Sequence, residues 1–242
     1  MTEKEPPTWF PDEVAHAGAE HLDAGFVAAY DRKAGDAASE DAAALPSLGL
    51  PSGATVVDMG AGTGTFAVAA AALGYRVIAV EVSEAMLREA GRKAEGRGLE
   101  LVQAGMLTYE HLGPPADLVY SRNALHHLPD FWKAIALRRM ASMLRPGGLL
   151  RLRDIVFSFD PDEAEGAIDR WLAAAPERAE DGWTRSELER HLRTECSTFT
   201  WVLEPMLERC GFTIREAHYS EAGTFADYLC ERAPSDGAEA GV

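Results

Sequence analysis

Residues 54–64, ATVVDMGAGTG, constrain this chain more than any other stretch. A short β-branched run, Val56 and Val57, ends in Asp58, and Gly60, Gly62 and Gly64 follow in alternation before the apolar segment FAVAAAALG. The order is strand, glycine turn, helix, which brings bare backbone N–H groups close to a nucleotide-like ligand. Side chains are excluded from such a turn because a Cβ would block the ligand or forbid the backbone angles. A dinucleotide-binding turn has the spacing G-x-G-x-x-G. The pattern here is D-x-G-x-G-x-G, and position 65 is Thr. Taken alone, the stretch also suits an ordinary glycine-rich βα turn of some other α/β protein.

The pattern continues in register. After Gly74, the run YRVIAVEVS places Val77, Ile78 and Val80 in a second strand ending at Glu81. An acidic residue at that place can accept hydrogen bonds from two ribose hydroxyls. Ser83 is positioned to cap the next helix. Leu99–Gln103 reads as a third strand, and Leu118, Val119 and Tyr120 as a fourth, ending near Ser121, Arg122 and Asn123. The sequence LHHLP follows, then a helix over WKAIALRRMASML that stops at Arg145–Gly148, then the strand LLRLRDIVF. FTIREAHYSEAGTFADYLCER predicts two strands joined by a turn at Glu221–Gly223. Before the first strand, Asp12 to about Lys33 reads as one helix, with Val14, Leu22, Phe26, Val27 and Tyr30 on its apolar face, and Asp36 to Leu48 as another.

The motif from Asp58 to Gly64, the acidic Glu81 and the LRPGG signature before the fifth strand together resemble the class I S-adenosylmethionine (SAM) methyltransferases, in their small-molecule branch. The resemblance implies an α/β fold: a doubly wound, mostly parallel seven-stranded sheet with an antiparallel last strand, N-terminal helices and a helical cap insertion. It implies SAM as cofactor, held by Asp58, Gly60, Ala61, Gly62, Gly64, Glu81, Val82, Gly105, Met106 and Ser121. Many members place an Asp after the third strand to bind the adenine amino group. Met106 stands there, so backbone groups at 104–107 are expected to take over. The implied organisation is an N-terminal lid at 1–50, a cofactor-binding core at 51–157, a substrate-cap insertion at 158–198, a C-terminal helix and hairpin at 199–232, and a disordered tail at 233–242.

The implied reaction moves a methyl group to an O, N or C nucleophile of a small molecule. His126 and His127 are candidates for the general base, since imidazole titrates near neutrality; a structural role at the loop is the alternative. By resemblance or position, Tyr30, Asn123, Arg193 and Trp201 are candidate substrate contacts. No third ligand follows the His pair at zinc spacing, so no metal is expected. Diversion to a cyclase or lyase, and a non-catalytic SAM-binding role, remain as alternatives. Thr65 counts against an NAD-dependent oxidoreductase.

Lys plus Arg number 23 against 39 Asp plus Glu, a net charge of −16. That balance opposes binding to nucleic-acid phosphates or an anionic membrane surface. Cys196, Cys210 and Cys230 lack metal-ligand spacing and are odd in number, which favours free thiols in a reducing compartment. The N-terminal residues lack an apolar signal region, and no apolar run reaches membrane-spanning length. The expectation is a cytoplasmic monomer or homodimer acting on a small molecule, without nucleic-acid or membrane partners.

Overall fold

The computed structural model describes residues 7–234. The expected loose residues 1–6 and most of the expected disordered tail, residues 235–242, lie outside that range. The chain forms one seven-stranded sheet from β1 (Thr55–Met59), β2 (Arg76–Glu81), β3 (Leu99–Gln103), β4 (Ala116–Arg122), β5 (Leu144–Asp154), β8 (Phe212–Tyr219) and β9 (Ala226–Arg232), in the order β3-β2-β1-β4-β5-β9-β8. Strands β1 to β5 run parallel to one another, and β9 is antiparallel to both β5 and β8. The expected antiparallel last strand is therefore present, wedged between β5 and β8.

The β1 sequence shows why the sheet is covered on both faces. Neighbouring residues of a strand point to opposite sides, and Val56 and Val57 are both fully buried, in separate clusters. On one side Val57, Val119, Leu150 and Leu152 meet Leu137 and Met140 of α6 (Asp130–Met143) and Leu203 and Leu207 of α9 (Thr200–Arg209). On the other, Val56, Val77 and Leu118 meet Phe66, Ala67 and Ala70 of α4 (Thr65–Ala72) and Ala42 of α3 (Ala37–Ala43). Phe66 stacks on Tyr120 with ring centroids 3.6 Å apart. Helix α5 (Glu84–Lys93) joins β2 to β3, and the Ser83 hydroxyl caps it through Met86 N at 3.2 Å.

The paired arginines of β5 find their polar partner on the front helices. Arg151 reaches Asp41 of α3 at 3.3 Å and Asp227 of β9 at 3.1 Å. Asp41, 5% exposed, also accepts from the Tyr120 hydroxyl at 2.6 Å and from Arg122 at 2.7 Å. A buried carboxylate is held here by three donors, which fastens the N-terminal helices to the sheet.

The single helix expected over 12–33 is broken. It becomes α1 (Glu13–His16), a 3₁₀ turn over Ala19–Leu22, and α2 (Ala24–Ala34). Gly18 adopts φ 83°, and Asp23 caps a new start through Phe26 N at 2.8 Å. Val14 and Leu22, expected on the apolar face, are 40% and 42% exposed, whereas Val27 is buried.

Between β5 and α9 lie β6 (Val156–Phe157), α7 (Ala164–Ala173), α8 (Arg185–Thr194) and β7 (Thr198–Phe199). A capping box with Thr184 and Glu187 starts α8. β6 and β7 pair in parallel, Val156 with Thr198 and Phe157 with Phe199, so the two ends of this excursion are tied together. Among the described residues, no helix is long and apolar enough to cross a membrane.

Candidate active site

The strand order reverses direction between β1 and β4, and ligands of open α/β sheets bind at the carboxyl ends of strands beside such a switch point. Asp58, Glu81, Arg122 and Asp154 all stand at or next to those ends. The glycine turn folds back over β2: Gly60 N and Ala61 N both donate to Val80 O, at 2.9 and 3.0 Å. Gly60 adopts φ 77°, and a Cβ there would lie 2.5 Å from the Ala124 Cβ, so no other residue fits. Glu81 then locks the turn. One carboxylate oxygen accepts from Gly62 N at 2.9 Å and the other from Ser83 N at 2.8 Å. Burial pushes the Glu81 carboxyl up, against the pull of those two backbone N–H groups. Asp58 is 2% exposed, and one of its carboxylate oxygens has no hydrogen-bond partner. Burial, reinforced by the charge of Glu81, pushes Asp58 up to about 8.

The cleft above the turn, about 680 Å³ to its solvent boundary, is lined by Gly60, Gly62, Glu81, Val82, Gly105 and Met106 among others. Asp58 and Ala61 line an adjoining recess that shares Gly60, Gly62, Tyr30 and Asn123 with it. Glu13 of α1 fills the corner by Met106. Its carboxylate accepts from Leu107 N at 2.8 Å and from the Thr108 hydroxyl at 2.9 Å. A Cβ on Gly105 would come within 2.2 Å of the Glu13 carboxyl carbon, so Gly105 makes room for that side chain.

A second cleft, about 1130 Å³ to its boundary, opens on the other side of His21, Tyr30, Asn123 and His127, which line both. Its far wall is apolar and aromatic: Ile155, Trp171, Trp183, Leu188 and Phe225. Asn123 sits at the end of β4 with φ 49°, a left-handed conformation that Asn tolerates better than most side chains. Its side-chain oxygen is buried without a hydrogen-bond partner. Burial raises the Tyr30 hydroxyl to about 12, with the charge of Glu81 adding to it, so the phenol stays protonated.

The floor of the second cleft carries a cluster of imidazoles. The His126 Nδ1 pairs with Asp154, whose other oxygen accepts from His126 N at 3.1 Å. The His126 Nε2 lies 2.9 Å from Glu195 Oε2. The His191 Nδ1 is 2.8 Å from the same oxygen, and its Nε2 is 2.8 Å from the Ser197 hydroxyl. His127 Nδ1 stands 3.5 Å from Glu195 Oε2 and has no hydrogen-bond partner. Burial would pull His126 down, but Asp154 and Glu195 override it and push the ring up to about 9. Burial, together with the neighbouring charge of His126, pulls His127 down to about 3. Burial alone would raise Asp154 and Glu195; His126 holds both below the usual carboxylate range, with His191 adding to the effect on Glu195. Glu195 reaches this place because its segment is docked on the His126 turn. Cys196 N donates to His126 O at 2.9 Å, and the buried Lys133 ammonium bonds Cys196 O while pairing with Asp130 at 2.7 Å.

A profile described as a methyltransferase domain matches residues 56–148, the segment that carries the glycine turn, Glu81 and both histidines. Over that segment the chain is similar to methyltransferase domains. An uncharacterized methyltransferase of Geobacillus kaustophilus is 29% identical over 131 residues, 54% of this chain and 60% of that protein. The chain thus matches less than two thirds of that relative's length. The magnesium protoporphyrin IX methyltransferase of Synechocystis, solved with bound SAM, has the same fold at 20% identity, with a TM-score of 0.57 over 82% of this chain and 79% of its own. The [4+2]-cyclase SpnF also shares the fold, at 15% identity and a TM-score of 0.57 over 76% of each chain.

SAM, which the Synechocystis enzyme was solved with, fits the residues present. Asp58 offers an unpartnered buried carboxylate oxygen to an ammonium group. Each Glu81 oxygen keeps a lone pair beyond the one given to its backbone N–H, which suits two hydroxyls. The Leu107 N–H, now taken by Glu13, is one of the backbone groups at 104–107 expected to hold the adenine.

Not every sequence-predicted site residue reaches a cleft. Gly64 and Ser121 line neither; Ser121 is fully buried within β4 and its hydroxyl has no partner. Arg193 faces outward on α8, its side chain 66% exposed beside Glu189, while Glu187 and Arg190 on the adjacent phase of that helix line the second cleft. Trp201 is 60% exposed and stacks on Phe199, and the aromatic lining comes from Trp171, Trp183 and Phe225 instead. The expectation that nothing joins the His pair rested on local spacing. The chain brings Glu195 and His191 to it from α8 and its C-terminal end, far away in sequence.

Proposed function

We propose that the chain transfers a methyl group from SAM to an O, N or C nucleophile of a small, partly aromatic molecule. The observation that carries this is the wall shared by the two clefts. His21, Tyr30, Asn123 and His127 face both, so a molecule in the aromatic cleft meets the cofactor cleft at those side chains. Bound SAM supplies a methyl group that its sulfonium has already made electrophilic. What is left to the protein is alignment and exclusion of water, which account for much of the rate when two reactants are held in line. Trp171, Trp183 and Phe225 offer flat apolar faces to an aromatic acceptor, and Asn123 offers a buried polar atom to orient its nucleophile. His126 is engaged at both ring nitrogens, so of the two histidines His127 is the one that faces the acceptor. The insertion carrying α7 and α8 serves as the substrate cap in this reading, and the acidic surface suits a small-molecule acceptor better than a nucleic acid.

The test is product analysis by mass spectrometry with SAM and a panel of aromatic acceptors bearing hydroxyl, amino or activated carbon groups. A product heavier by one CH₂, with an equal amount of S-adenosylhomocysteine, supports the reading. Turnover with no mass gain supports a diverted reaction of the kind named for the cyclase neighbour. Absence of SAM binding in calorimetry, with Asp58→Ala no different from the parent chain, overturns it.

A further inference from the structure

His126, His127 and Glu195 present three donor atoms to one point on the floor of the aromatic cleft, all within 4.8 Å of one another. We propose that this corner is a binding site for a divalent transition-metal ion, of the zinc type, with His126 Nε2, His127 Nδ1 and Glu195 Oε2 as ligands.

The spacing suits an ion. Donor atoms at bond lengths of about 2.0–2.1 Å around a tetrahedral centre lie roughly 3.3 Å apart. Glu195 Oε2 is 2.9 Å from His126 Nε2 and 3.5 Å from His127 Nδ1. A hydrogen-bonded cluster explains the first distance and leaves the second without a cause. The His127 nitrogen is buried, aimed at a carboxylate oxygen, too far to donate to it and without any other partner. A cation between the two satisfies both.

The supporting groups are those a metal site needs. Ligating imidazoles usually give their other ring N–H to a carboxylate, which fixes the tautomer and aims the ligating lone pair. Asp154 does this for His126 Nδ1 and is itself held by Ile155 N at 2.7 Å. His191 Nδ1, 2.8 Å from the same Glu195 Oε2, steadies that carboxylate. Two histidines and one glutamate that leave a position open are the donor set of a catalytic rather than a structural zinc site. The open side here faces the aromatic cleft, where an oxygen or nitrogen of the acceptor would complete the coordination and lose its proton more readily. That role in the reaction rests on the methyl-transfer reading; the binding of the ion does not.

The experiment is calorimetric titration of the full chain, first dialysed against a chelator, with Zn²⁺ alone, repeated with Co²⁺ followed by visible absorption. One tight site per chain is expected, with Co²⁺ bands of low-symmetry coordination. Glu195→Gln and His127→Ala should each weaken Zn²⁺ by about 100-fold, and Asp154→Asn by about 10–100-fold, the range for an outer partner. SAM titration of Glu195→Gln, whose side chain lies outside the cofactor cleft, should match the parent and shows that the variant is folded. Zn²⁺ binding that is absent, or equal in the parent and Glu195→Gln, overturns the site. SAM binding and methyl transfer by a chain that takes no metal sink this inference alone, whereas metal binding without methyl transfer sinks only the reading above.

Discussion

Glu81→Gln isolates how one side chain serves both the turn and the cofactor. The Glu81 carboxylate is 8% exposed and accepts from Gly62 N at 2.9 Å and Ser83 N at 2.8 Å. The amide is the same size but accepts on one side only, so its NH₂ confronts one of those two backbone donors. Leaving a buried donor unpaired costs about 1–3 kcal/mol. Relief from burying a charge offsets part of that, because burial already pushes the Glu81 carboxyl up. A net loss of about 1–2 kcal/mol in unfolding free energy is expected, read from urea denaturation. Cofactor affinity should fall further, because hydroxyl bonds to a charged acceptor are worth about 1.5–3 kcal/mol and a neutral amide forfeits much of that, roughly 10–100-fold in Kd by calorimetry. Glu81→Ala should be worse in both assays. A Gln variant that binds SAM within about twofold of the parent and unfolds at the same urea concentration would refute the reasoning.

Three further expectations follow from the same geometry. The buried Asp58 holds its proton up to about pH 8 in the folded chain, against an ordinary value of 3.8. The folded state therefore binds more protons than the unfolded one in that window, and stability falls as pH rises through it, by at most about 1.4 kcal/mol per pH unit. Asp58→Asn should remove that slope, so its stability relative to the parent should improve from pH 5 to pH 8 in urea denaturation; parallel curves would contradict the burial argument. Glu13→Ala should tighten SAM, because Leu107 N–H and the Thr108 hydroxyl no longer have to be released by a competing carboxylate; calorimetry showing weaker binding would mean that Glu13 assists the cofactor instead. Trp171→Ala should raise the acceptor KM while leaving SAM affinity alone, whereas Arg193→Ala and Trp201→Ala should change neither, which steady-state kinetics would check.

What was readable in the sequence depended on the range of the interaction that decides it. The β1 run, the glycine turn and Glu81 are set by strand alternation and by backbone angles that only glycine adopts freely, both local, and all stand where the pattern placed them. The front helix was misread because apolar periodicity continued past Gly18 and Asp23, whose cap ends one helix and starts another. Arg193 and Trp201 were misplaced for a different reason. Composition marked the segment as polar and aromatic, but which phase of α8 faces the cleft is fixed by how α7 and α8 dock, which a single sequence does not encode locally. The meeting of Glu195 with His126 and His127 depends on Cys196 and Lys133 holding the segment to the turn, contacts between residues remote along the chain.

The two-residue ladder between β6 and β7 has an evolutionary consequence. By fastening the two ends of the 158–197 excursion side by side, it keeps the chain-closure entropy nearly independent of what lies between, since that cost grows only slowly with loop length. Descendants of this scaffold are free to lengthen, shorten or replace the excursion while the sheet and its glycine turn stay untouched. Glu195, Ser197 and His191 travel with the exchanged piece, whereas His126, His127 and Asp154 stay behind. A new acceptor preference can therefore arise by recombination at this joint, and the histidine pair is the fixed socket that each incoming segment has to match.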